Sequence, residues 1–120
     1  MIKKTQMMKA LIVKFGNQPN GFYISEQEIK NIHCQKNEGK MLIDRTDYTS
    51  SVPCGYLIKT ELQENKETDE LELWGYFMYT PDKIAFEEDH KCSYEISCTT
   101  EGLGKRNVMR KCSLVCCAIE

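Results

Sequence analysis

The chain predicts an α+β fold that is mostly β: a small, mixed, barrel-like sheet of about six to seven strands with two short helices. Three observations carry this. Apolar runs of strand length alternate with polar turn clusters along the whole chain, and the longest of them, Met41–Ile43, Trp74–Tyr79 and Leu114–Ile119, fall far short of the ~20 residues that cross a bilayer. One run, Leu71–Thr80, is apolar on both faces, which marks a central strand. The 120 residues, 41% hydrophobic and 28% charged, suit one domain spanning 1–120 with a real core. Closing such strands into a barrel removes the edges they would otherwise expose.

The elements follow in order. Met8–Phe15 is apolar at Met8, Ala10, Leu11, Ile12, Val13 and Phe15 and reads as a strand. Gly16–Gly21 is a turn cluster, and Phe22–Ile24 pairs back as a short strand. Ser25-Glu26-Gln27-Glu28 is a capping box: Ser25 accepts from the Glu28 N–H, and the Glu28 carboxylate returns the bond. A helix of about two turns follows, with Ile29 and Ile32 inward. Gln35–Lys40 is loop, Met41–Asp44 a buried strand and Arg45–Pro53 a polar loop. Tyr56–Leu62 and Leu71–Thr80 form a hairpin whose tip, Gln63–Glu70, is wholly polar and acidic. Thr80-Pro81-Asp82 starts a second short helix, ending near Asp89, with Thr80 as N-cap and Pro81 in the first turn. Ser93–Thr99 and Val108–Ile119 are the last strands, joined by the loop Thr100–Lys105.

Charge and cysteine usage narrow the function classes. The net charge of −2 argues against a general nucleic-acid binder. Lys3 and Lys4 precede a Lys-broken apolar run with no small-residue cleavage site, so no secretory signal and no membrane association are expected, and the expected location is the cytoplasm of the producing cell. Seven cysteines, an odd number without an export signal, point to reduced and mostly buried thiols. The charge itself is patterned. Glu61, Glu64, Glu67, Asp69, Glu70 and Glu72 face Lys66 alone within 61–72, while Lys105, Arg106, Arg110 and Lys111 have no acid within 102–111. Such patches are either solvated faces or a means for copies to pack head to tail.

No cofactor or metal is expected. Cys112-x3-Cys116 is the only cysteine pair in zinc-ligand range, and on a strand residues four apart stand too far apart for one ion. His33 and Cys34 are neighbours on a helix, where adjacent side chains diverge. Glu87, Glu88 and Asp89 end a surface helix, and Gly102 and Gly104 precede a strand, not the helix a phosphate loop requires.

From Met41 on, the chain carries an ordered set of short motifs. The strand Met41–Asp44 leads through a polar loop to Pro53-Cys54-Gly55-Tyr56-Leu57; the acidic hairpin ends in Thr80-Pro81-Asp82; Tyr94-Glu95-Ile96-Ser97 and Ser113-Leu114-Val115 follow. In order and spacing these resemble the prohead (capsid-maturation) proteases of tailed phages, relatives of herpesvirus assemblin, over about two-thirds of the chain. The resemblance implies a serine nucleophile at Ser97, with Ser93 second. The family histidine, after the strand equivalent to Met41–Asp44, is replaced here by Arg45-Thr46-Asp47, and a guanidinium cannot act as base near neutral pH. Lys111 and Cys112 also stand where the family commonly has an acid. The expectation is therefore a phage-encoded, non-catalytic member of that fold, a structural or assembly part of the virus particle that binds capsid proteins, other virion proteins or itself. Glu64, Glu67, Asp69, Glu70, Lys105, Arg106, Arg110 and Lys111 are its contact candidates, supported by the interface-prone Tyr23, Tyr48 and Tyr56. Two alternatives stay open: a serine protease rewired to use His90 as base for Ser97, and a small inhibitor of a host defence protein binding through the acidic hairpin.

Overall fold

A strand that is apolar on both faces belongs in the middle of a sheet, and the architecture is built outward from it. The computed structural model describes residues 6–45, 52–80 and 92–120. The strands are β1 (Gln6–Lys14), β2 (Gly16–Asn17), β3 (Phe22–Ile24), β4 (Met41–Asp44), β5 (Val52–Glu64), β6 (Leu71–Tyr79), β7 (Cys92–Leu103) and β8 (Arg106–Ile119), with one helix, α1 (Glu26–Cys34), between β3 and β4. The fold is α+β and mostly β. Its single mixed sheet curls into a half-barrel in the order β1-β6-β5-β4-β8-β3-β2, and β7 pairs the other side of β8. The two ends of that order are one run of chain, since Phe15 alone separates β1 from β2. The helix expected over 81–89 falls outside the described residues, as do Tyr48 and His90. No helix among the described residues is long and apolar enough to cross a membrane.

Strand β6 lies between β1 and β5. Leu71, Leu73, Phe77 and Tyr79 point into the core with Ile12, Ile24, Ile29, Ile32, Leu42 and Leu57. On its outer face, Lys9 Nζ stands 5.1 Å from the Trp74 ring centre, and Lys59 Nζ stands 4.8 Å from that of Tyr76. The lysine stems cover the rings while the ammonium groups stay wet. Gly55 faces Tyr79 across the β5–β6 ladder, and a Cβ there would lie 2.1 Å from the Met78 carbonyl oxygen. Only glycine permits this approach.

Both hairpins are longer than the sequence pattern predicts. Strand β5 runs from Val52 to Glu64, so Pro53-Cys54-Gly55 are strand residues and the acidic turn shrinks to 65–70. Strands β7 and β8 meet in a two-residue turn at Gly104-Lys105, with Gly104 at φ +63°, in place of the expected loop over 100–105. Residues 99–107 at the end of the β7–β8 hairpin are all exposed and mostly polar, so they mimic a loop in composition. Glycine first in a two-residue turn matches the twist of the two strands.

Helix α1 begins as its sequence dictates. Ser25 Oγ accepts from the Glu28 N–H at 3.2 Å. The return bond of the capping box is not made, because a stronger claimant takes the carboxylate. Glu28 is buried, and its Oε1 accepts from the Cys112 N–H of β8 at 3.0 Å. Gln35 Nε2 donates to the Cys112 carbonyl at 2.8 Å, and Lys40 Nζ donates to the Leu114 carbonyl. These bonds have a common cause. One side of β8 is paired by β3 at residues 107–108 and by β4 at residues 117–119, and side chains from α1 and its exit loop serve backbone groups in the gap between. A buried backbone group left unpaired would cost about 1–3 kcal/mol.

The pairing directions also place the turns. Strand β4 is antiparallel to β5 and parallel to β8. The β5–β6 turn and the β7–β8 turn therefore leave the barrel at the same end, joined there by β2 and β3. The opposite end holds the start of β5 and the end of β8.

Candidate functional site

The serine site implied by the resemblance is not assembled among the described residues. Ser97 is exposed on β7 and faces Ser113 of β8 across the ladder. The described histidine, His33, sits at the end of α1 and shares a 2.7 Å hydrogen bond between Nδ1 and Thr60 Oγ1 of β5. Ser93 donates from Oγ to Glu120 Oε1 at 3.0 Å, and Arg45 Nη1 lies 3.9 Å from the same carboxylate oxygen. Arg45 thus ends beside Ser93, at the barrel end opposite the turns, and a guanidinium cannot take a serine proton. At Lys111-Cys112 the nearby acid is Glu28, whose carboxylate accepts from the Cys112 N–H.

The His33–Thr60 pair lines an open cleft of about 300 Å³ with Lys36, Glu38 and Lys59. It is a polar groove with one imidazole and one hydroxyl in contact. No third group orients the ring among the described residues. Nothing in the sequence singles out Thr60, because the contact joins residues far apart in the chain through the packing of α1 on the sheet.

The cysteines divide by environment. Cys112, Cys116 and Cys117 are buried, Cys54, Cys92 and Cys98 half-buried, and Cys34 exposed; all seven thiols are free. Burial, helped by the Glu28 carboxylate, pushes the Cys112 thiol up to about 12. Burial and the neighbouring Glu95 raise Cys116 as well. Both therefore keep their protons and are poor nucleophiles at neutral pH.

The charged turns are the best-defined surface feature. Of the acids in 61–72, two are used by the fold. Glu61 accepts from the Tyr76 hydroxyl at 2.6 Å, which with Lys9 and Lys59 nearby holds its carboxyl below the usual range. Buried Glu72 accepts from the Trp74 indole N–H at 3.2 Å. Glu64 at the end of β5 and Glu67, Asp69 and Glu70 on the turn remain, of which the first three are exposed and Glu70 is half-buried. Asn65 organises it, its Oδ1 accepting from the Glu67 N–H at 2.9 Å and from the Thr68 N–H at 3.3 Å. On the β7–β8 ribbon, Arg110 pairs with Glu101 at 3.2 Å and is spent locally. Lys105 at the turn and Lys111 lower on the ribbon are exposed, and the Arg106 guanidinium stacks 4.8 Å from the Tyr23 ring centre. Leu103, beside the turn, is 48% exposed. The acidic turn and the basic, partly apolar turn thus leave the barrel at the same end.

No family model, no curated protein and no solved structure matches the chain.

Proposed function

We propose that this chain is a non-catalytic assembly module that binds a second copy of itself through the barrel end carrying the two charged turns. The observation that carries the reading is their placement: Glu64, Glu67, Asp69 and Glu70 at one turn and its flank, and Lys105 and Arg106 at the other, leave the barrel at the same end. Copies meeting through both turns face each other across a two-fold axis, acid to base twice, whereas head-to-tail packing would need the patches at opposite ends. The exposed Leu103 adds apolar area that such a contact would cover. A basic turn at the same end as the acidic one favours a partner of mixed charge over the all-acidic mimic of nucleic acid. The resemblance in element order to prohead proteases makes a part of a virus particle the specific form of this proposal. The environments of Ser97 and His33 support the non-catalytic half of it.

Exposed ion pairs are worth about 0–1 kcal/mol each, so the contact is salt-sensitive. Sedimentation of the chain from low to high salt is expected to show a closed dimer that dissociates as salt rises. Glu64→Gln/Glu67→Gln/Glu70→Gln is expected to abolish the dimer at low salt. A chain that stays monomeric at every salt and concentration would refute the proposal, as would a dimer indifferent to the triple substitution.

A further inference from the structure

The inner face of the β7–β8 hairpin brings two cysteines together that the fold has no evident need to pair. Tyr94 faces Cys117 and Cys92 faces Ile119, so Cys92 and Cys117 are diagonal neighbours on one face of the ladder. The right-handed twist of a hairpin narrows this kind of diagonal. The Cys92 sulfur donates to its neighbour's carbonyl, Ser93 O, at 3.7 Å, and the Cys117 thiol and the Ala118 N–H lie close enough to lower the pKa of the Cys92 thiol. The two differ in access. Cys92 is half-buried at the start of β7, and Cys117 is 2% exposed.

We propose that Cys92 and Cys117 are a cross-strand dithiol that a small-molecule disulfide oxidises to an internal disulfide, tying the start of β7 to the end of β8. The more accessible Cys92 thiolate attacks one sulfur of oxidised glutathione and expels one glutathione thiolate. Cys117 then loses its proton and attacks the Cys92 sulfur of the mixed disulfide, expelling the second glutathione. Two protein thiols become one disulfide, and the two electrons and two protons leave in two molecules of reduced glutathione. As diagonal neighbours on one face of the ladder, the two sulfur atoms have to close to the ~2.05 Å of an S–S bond. The donors around Cys92 agree with its role as the attacking group: the nearby Cys117 thiol holds the Cys92 thiol below its ordinary range, and the same proximity raises Cys117. Cys116 supplies an internal comparison, since its sulfur donates to Glu95 Oε2 at 3.5 Å.

The test is to expose the reduced full chain to increasing ratios of oxidised to reduced glutathione, alkylate in denaturant, digest without reductant and map the cysteines by mass. Two alkylatable thiols are expected to disappear together, with Cys92 and Cys117 in one linked peptide and Cys116 still alkylated. Cys117→Ser is expected to trap glutathione on Cys92. The proposal is overturned if both residues stay alkylatable at ratios that oxidise a flexible two-cysteine peptide. It is overturned equally by a bridge between Cys98 and Cys112, which also neighbour each other across this hairpin, in place of the assigned one, or by a Cys117→Ser chain that takes no glutathione at Cys92.

Discussion

The two long hairpins share a secondary structure and differ in what surrounds them. The β5–β6 hairpin is flanked by β1 and β4, so the inner face of β6 is buried along its length and its outer face mostly half-buried. The β7–β8 hairpin has a partner strand on one side only among the described residues, and β7 is half-buried where it covers the core and exposed from residue 99 on. The first hairpin is a wall of the barrel and the second is a wall that becomes a projecting ribbon. The difference teaches where stability and contact surface separate: large side chains packed in β6 hold the fold, while the outer ribbon is free to carry charge.

The largest effect expected from this contrast is in the core. Phe77→Ala, at a fully buried position in β6, should cost about 3–5 kcal/mol, against less than half of that for Ile96→Ala on half-buried β7. Urea unfolding measures both, and equal losses would erase the distinction between the hairpins. Next comes the junction that supports β8. Glu28→Ala strips the Cys112 N–H of its acceptor and should cost about 1–3 kcal/mol, with faster exchange of that amide. Glu28→Gln keeps an acceptor oxygen and should recover much of the loss.

The contrast also explains what could be read from the amino-acid order. The two-sided apolar pattern of Leu71–Tyr79 announced a central strand, and Ser25 with Glu28 announced the start of α1, because both signals are local. The destination of the Glu28 carboxylate was not legible, since a capping box looks the same whether or not a distant backbone N–H competes for its acid. The contact of His33 with Thr60 and the shared end of the two charged turns were hidden for a related reason. Both follow from long-range packing and from the parallel pairing of β4 with β8, which leave no trace in local periodicity. The strand end at 100–103 looks like a loop in sequence because its exposed residues lose the alternation that marks a strand.

Smaller effects sharpen the comparison at the turns. Asn65→Ala removes the side-chain acceptor for two turn N–H groups and should cost about 1 kcal/mol, loosening the acidic turn while leaving the β7–β8 amides protected. Hydrogen exchange by NMR separates the two. Ser97→Ala, on the exposed face of β7, should change stability by less than about 0.5 kcal/mol. A peptidase activity that Ser97→Ala abolishes with folding intact would contradict the non-catalytic reading.

The central claim is that one barrel end is self-complementary in charge, and a charge exchange tests it most directly. One variant carries Glu64→Lys, Glu67→Lys and Glu70→Lys, and a second carries Lys105→Glu and Arg106→Glu. Each alone sets like charges against each other and should sediment as a monomer at low salt. Mixed in equal amounts, the net-basic end of the first faces the net-acidic end of the second, and a salt-sensitive heterodimer is the predicted result. Dimers formed by either variant alone, or no association in the mixture where the native chain dimerises, would contradict the account.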